Sequence, residues 1–243
     1  MSLRIACDLD GTVADMDAAL QREAERLFGP DVDLHASPSR PIESAEDVEE
    51  ELSSPAPDAA PVAASPALPA RRPLTRSELR RLWAHVGTIE NFWLSLGEVE
   101  AGAVSQIAAH AARYRWDVLF VTQRPSSAGE TTQRQSQRWL QSHGFECPSV
   151  YVTGARGRVA DALSIDAVLD DRPENCLDVV TDSKATPFLI WRHRRESLPP
   201  GLAQTRIQTV YSIREALERL EEMSTKRRSE RTLLGRVRKA VGL

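Results

Sequence analysis

Short apolar runs alternate with longer polar segments along most of the chain. The apolar runs are Leu3–Leu9, Val118–Val121, Val150–Val152, Ala167–Leu169 and Phe188–Trp191, each of strand length. Between them lie Asp15–Phe28, Ala128–His143, Arg158–Leu163 and Pro173–Asp182, which suit amphipathic helices. Strands that alternate with helices predict an α/β fold, a Rossmann-like parallel sheet with helices on both faces. The gap between the first two strands is far longer than the others. Within it Leu79, Leu82, Trp83 and Val86 fall at i, i+3, i+4 and i+7, the signature of one helix with an apolar face. The expected layout is a core of residues 1–29 and 100–223 with a small, mostly helical cap, 30–99, inserted after the first strand.

Composition divides that insert. Residues 31–51 are acidic and end in Glu49-Glu50-Glu51, whereas 53–73 are nearly all Ala, Pro and Ser, with six prolines in 21 positions. Such a run has too few amide donors and too little apolar surface for a helix or a ladder, so it reads as a disordered linker. Residues 224–243 form a basic tail, expected to be a solvated helix or a frayed end rather than a membrane or nucleic-acid contact. The whole chain, 243 residues at a net charge of −4, suits one generous domain or a domain with an insert, and argues against a general nucleic-acid binder. No apolar stretch approaches the roughly 20 residues of a membrane span. Asp8 interrupts the N-terminus before a signal-peptide core could form, and Cys7, Cys147 and Cys176 offer neither a disulfide framework nor a zinc spacing. A cytoplasmic setting is the expectation.

Chemistry concentrates at the end of the first apolar run, in Cys7-Asp8-Leu9-Asp10-Gly11-Thr12. A strand period of two sets Asp8 and Asp10 on one side, opposite Leu3, Ile5, Cys7 and Leu9. Gly11 permits a sharp exit and a close approach of backbone amides to a ligand. Two carboxylates this close repel each other, and a hard cation such as Mg²⁺ explains them best. Thr122 and Asp170-Asp171 stand where later apolar runs stop, and open parallel sheets bind ligands beyond the carboxyl ends of their strands. Each is ambiguous alone, since a Thr there also forms simple turns and Asp-Asp-Arg-Pro-Glu also opens a helix.

Taken together, these residues resemble the haloacid dehalogenase-like (HAD) superfamily of phosphatases and phosphotransferases. Asp8 to Thr12 match its first motif, Thr122 its second, Arg156 its third and Asp170-Asp171 its fourth; Arg158 is an alternative for the third. Within the superfamily the likeness is to 5′-nucleotidases of the deoxyribonucleotidase type, through Asp-Gly-Thr-Val-Ala-Asp (10–15), residues 91–104, Arg-Gly-Arg-Val-Ala (156–160) and Asp-Asp-Arg-Pro-Glu-Asn (170–175). Motif three departs from the family by carrying Arg where Lys is usual. The resemblance implies a Mg²⁺-dependent phosphomonoesterase with Asp8 as nucleophile and Asp10 as general acid and base. Asp8, Asp10 (through its backbone carbonyl), Asp170 and Asp171 are the implied metal ligands. Gly11, Thr12, Thr122, Gln123 and Arg156 are the implied phosphate contacts. Phe92 and Trp93 are candidates for stacking on a nucleobase, with cap packing as the competing role. The expected partner is a small phosphomonoester, a nucleotide first of all, with a homodimer left open and no stable nucleic-acid partner. A phosphatase for sugar phosphates and a non-catalytic HAD-like interaction protein are the alternatives.

Overall fold

A computed structural model describes residues 2–34, 71–193 and 197–241. Six strands form one parallel sheet: β1 (Arg4–Asp8), β6 (Asp117–Thr122), β7 (Ser149–Val152), β8 (Ala167–Asp170), β9 (Thr186–Ile190) and β10 (Gln208–Val210), in the order β10-β9-β8-β1-β6-β7. Two-residue strands fall between the first two of these: β2 (Ala14–Asp15), β3 (Val32–Asp33), β4 (Arg72–Pro73) and β5 (Gly97–Glu98). The helices are α1 (Met16–Phe28), α2 (Arg76–Thr88), α3 (Ala103–Tyr114), α4 (Thr132–Ser142), α5 (Arg156–Ala162), α6 (Pro173–Asp182) and α7 (Ile213–Val241). The α/β reading of the sequence is met. Most of the linker placed at 53–73 lies outside the described residues, but its last positions, Arg72 and Pro73, pair in parallel with Val32 and Asp33.

The chain divides into two compact units, Met1–Ala14 with Glu98–Thr122 and Gln137–Leu243, and Asp15–Gly97 with Gln123–Ser136. Helix α1 therefore groups with the insert, although the hydrophobic pattern had joined it to the core, and so does the segment after β6.

In the first unit, β1 is central because its residues are apolar on both faces. Ile5 lies opposite Val118 on one neighbour and Ala167 on the other; Cys7 lies opposite Phe120 and Leu169. A strand covered on both sides reads as a continuous apolar run rather than an alternating one. One face packs Ala6, Val121 and Val168 against Ala160 of α5 and Val179 of α6. Around β9, Leu189 and Trp191 pack with Cys176, Leu202 and Ile207. These contacts fix the heights at which the strands end. With Cys7 opposite Leu169, the next residues along, Asp8 and Asp170, end adjacent strands.

The second unit holds α1 and α2. Asp15 caps α1 by accepting from the Ala18 N–H at 2.9 Å. His85 of α2 hydrogen-bonds Glu23 of α1 at 3.1 Å, and the Arg81 guanidinium stands 5.3 Å over the Phe28 ring. The start of α2 is a reciprocal cap. The Thr75 hydroxyl accepts from the Glu78 N–H at 3.2 Å, while the Glu78 carboxylate accepts from the Thr75 N–H at 2.9 Å. Arg72 closes on the same carboxylate with a two-pronged pair at 2.7 and 2.8 Å.

This cap sets two outcomes. Thr75→Ala should lower stability by about 1 kcal/mol in denaturant unfolding, the usual cost of a lost N-cap. The Arg72 guanidinium, with the Thr75 N–H, holds the Glu78 carboxyl down at about 2. On acidification the unfolded chain takes up this proton first, so the contribution is present above the ordinary Glu range, roughly pH 4.3, and is lost as pH falls toward 2. Unfolding midpoints of wild type and Glu78→Gln should therefore differ near neutral pH and converge in acid.

Candidate active site

Asp8 closes β1 and Asp170 closes β8, and both side chains are buried, at 2% and 0% exposure. Arg156, 3% exposed, lies against both. Its Nη2 donates to Asp8 Oδ1 at 2.6 Å and its Nε stands 2.9 Å from Asp170 Oδ2. Asp170 accepts further bonds from the Arg172 N–H at 2.9 Å and from Asn175 Nδ2 at 3.0 and 3.1 Å. Burial pushes the Asp170 carboxyl above its ordinary range, and Arg156, the Arg172 N–H and Asn175 pull it back.

Arg156 is placed by the packing of α5 on α6. It is the first residue of α5, and Gly157 follows. A Cβ at 157 would sit 2.5 Å from the Asp178 carbonyl oxygen and 2.8 Å from Asp182 Cβ. The Gly157 N–H donates to the Asp178 carboxylate at 3.0 Å. Only glycine lets α5 come this close. Arg158, the alternative for the same role, is exposed.

The two aspartates of the first motif do not share a strand face. Strand β1 stops at Asp8, and Leu9, whose carbonyl accepts from Val13 and Ala14, begins a turn. Asp10 reaches the site from that turn, where its Oδ2 accepts from the Thr122 hydroxyl at 3.0 Å. Gly11 has φ +79°, and a Cβ there would collide with the Asp171 carboxylate. The turn thus needs glycine for both its backbone and its clearance. The Thr12 hydroxyl donates to Asp171 Oδ1 at 3.2 Å.

Carboxylate oxygens of Asp8, Asp170 and Asp171 lie within 4.8 Å of one another. Three hard oxygen donors in this space fit a small divalent cation such as Mg²⁺. The Asp10 carboxylate is not in this group. Burial, then Asp8 and Asp170, push the thiol of Cys7, next to Asp8, well up, which disfavours its thiolate.

Phe92, Trp93 and Gln123 belong to the second unit. Gln123 is half-buried there. Trp93 has 0% exposure and Phe92 2%. The Trp93 indole N–H donates to the Pro125 carbonyl at 3.0 Å, Phe92 meets its ring edge-on at 5.0 Å, and the Arg124 guanidinium covers it at 4.9 Å. The base-stacking role expected of this pair is not met by the arrangement, because neither ring has an open face. They are core residues.

Two groups near the site were not singled out from sequence. Asn175 lies within the fourth motif string and bonds Asp170. Arg192 directly follows the apolar run Phe188–Trp191, so the strand-end logic that marked Thr122 and Asp170 would have marked it too.

No protein-family model matches the chain, and no curated protein matches it. Among solved structures it is similar to a haloacid dehalogenase-like family hydrolase from Xanthomonas campestris, at 13% identity and a TM-score of 0.46, over 93% of this chain and 98% of that one. It is also similar to a HAD-superfamily hydrolase, subfamily IA, from Geobacter sulfurreducens, at 12% identity and a TM-score of 0.47, over 90% and 96%. A third is CbbY from Rhodobacter sphaeroides in complex with phosphate, at 14% identity and a TM-score of 0.42, over 88% and 95%. Identities this low carry no information on substrate.

Arg156 offsets charge that nothing apolar could replace. Arg156→Met should lower stability by about 3–5 kcal/mol, the cost of leaving buried carboxylates without their partner. Denaturant midpoints check this, and an unchanged midpoint would show that the carboxylates do not depend on the guanidinium.

Proposed function

We propose that the chain is a metal-dependent phosphomonoesterase of the haloacid dehalogenase type, working through an aspartyl-phosphate on Asp8. The observation that carries this reading is the meeting of buried Asp8 and Asp170 with Asp171, Asp10, Thr122 and Arg156 at the carboxyl ends of β1, β6 and β8. A fold of this kind hosts many activities, so the function rests on that site.

Asp8, Asp170 and Asp171 would hold Mg²⁺, which when bound offsets the repulsion between a carboxylate nucleophile and a phosphate dianion. An oxygen of Asp8 attacks phosphorus as the ester P–O bond breaks, and Asp10 gives its proton to the departing alkoxide. Asp10 then takes a proton from water as that water attacks the phosphoryl group. Inorganic phosphate leaves and the Asp8 carboxylate is restored. Thr122 and Arg156 supply donors for phosphoryl oxygens, where charge gathers in a loose transition state.

Nucleoside monophosphates are the first substrates to assay, on the motif likeness in residues 10–15 and 170–175. The burial of Phe92 and Trp93 gives that narrower reading no help, and sugar phosphates belong in the same panel.

Phosphate release should occur from one or more members of such a panel with Mg²⁺, vanish with EDTA and return with added Mg²⁺. Asp8→Asn should abolish turnover while melting like wild type, because an amide does not open the covalent route. Turnover in metal-free buffer, or by folded Asp8→Asn, would be incompatible with the proposal.

A further inference from the structure

An arginine that this mechanism does not use grips the turn by which the chain leaves Asp8. Arg192 donates from Nη1 to the Gly11 carbonyl at 2.7 Å and from Nη2 to the Thr12 carbonyl at 2.9 Å. The same guanidinium is held by Glu100, whose Oε1 accepts from Nε at 3.0 Å and from Nη2 at 2.5 Å. Both Glu100 oxygens also accept from the Ile213 N–H, at 3.1 Å, where α7 begins. One side chain therefore ties together the turn after β1, the segment before α3, the end of β9 and the start of α7. All four lie in the first unit.

What the grip does follows from peptide geometry. The Gly11 carbonyl and the Thr12 N–H belong to one planar trans peptide and point in opposite directions. Fixing that carbonyl on Arg192 sets the Thr12 N–H on the other side. The next peptide is fixed twice, by Arg192 on the Thr12 carbonyl and by the Val13 N–H donating to Leu9 at 2.9 Å. Without such ties a turn through glycine at φ +79° is among the more adjustable pieces of backbone. A misplacement on the order of 1 Å at a reacting centre costs about 10²-fold in rate.

We propose that Arg192, oriented by Glu100, is a positioning residue for the reaction. It holds the Gly11–Thr12 peptide so that the Thr12 N–H faces the transferring phosphoryl group. This rests on the phosphatase reading above. The fork of arginine is required, because one ammonium cannot serve two successive carbonyls and a carboxylate in the same plane.

Full-length wild type, Arg192→Ala, Arg192→Lys and Glu100→Gln should be assayed with p-nitrophenyl phosphate and Mg²⁺, and melted by circular dichroism. Arg192→Ala is expected to lose about 10- to 100-fold in kcat, with KM changed by less than about three-fold, since the contact strengthens only as charge develops. Arg192→Lys should fall between it and wild type. A merely structural arginine would instead lower the melting temperature and leave kcat per folded molecule alone. Folded Arg192→Ala within about two-fold of the wild-type kcat overturns the proposal; should that variant not fold, the same result for folded Glu100→Gln overturns it. An active wild type with unaffected variants defeats the clamp alone, whereas a wild type that releases no phosphate from any ester defeats the phosphatase reading and the clamp with it.

Discussion

Two carboxylates that end neighbouring strands, both out of water, are the constraint around which this structure is built. Asp8 and Asp170 follow directly on a paired rung of β1 and β8 and are almost wholly buried. At 4 to 5 Å, two like charges repel by roughly 4 kcal/mol even at the moderate effective dielectric of a protein. Burial adds a cost for each charge. The Arg156 guanidinium meets both carboxylates at 2.6 and 2.9 Å, and so makes the pair tolerable.

That demand propagates outward into packing. Arg156 can reach both strand ends only because α5 starts beside them, and α5 can lie there only because position 157 carries no Cβ. Asn175 and the Arg172 N–H engage Asp170 from the start of α6, opened by Pro173. At the turn after β1, Gly11 clears Asp171, and Arg192 with Glu100 holds the carbonyls of the turn. The polar centre is thus over-determined by backbone and glycine contacts. Sites that must hold strained charge arrangements need such support.

Much of this was legible from residues alone, for physical reasons that also mark the limits. Pro173–Asp182 coincides with α6 because proline and a polar start announce a helix boundary. Asp8, Asp10, Thr122 and Asp170 were readable because each lies at or just past the end of an apolar run, and parallel strands end together at a ligand-binding edge. Asp10 was placed on the wrong element: period-two alternation extends a strand until something ends it, and here the strand ends at Asp8 with the turn beginning at Leu9. At Trp93 the sequence left base stacking and cap packing both open. Its composition cannot tell a base-stacking ring from one sealed between Phe92, Pro125 and Arg124. Arg192 stood at the end of an apolar run and was open to the same reading, whereas what it does there was not legible, because its contacts, Glu100 and the carbonyls of Gly11 and Thr12, are distant in sequence.

That the residue lying against both carboxylates is an arginine also bears on what the group could bind. A lysine there would be a point charge on a flexible stem, able to approach one carboxylate closely. The planar fork serves two carboxylates on different strands at once, and its charge does not titrate in the accessible pH range. The carboxylate oxygens of Asp8, Asp170 and Asp171 lie within 4.8 Å of one another, and the Arg156 guanidinium offsets only part of the negative charge that three carboxyls can carry. Hard oxygen donors held this close would favour a small divalent cation over a monovalent one, because the higher charge offsets more of their mutual repulsion.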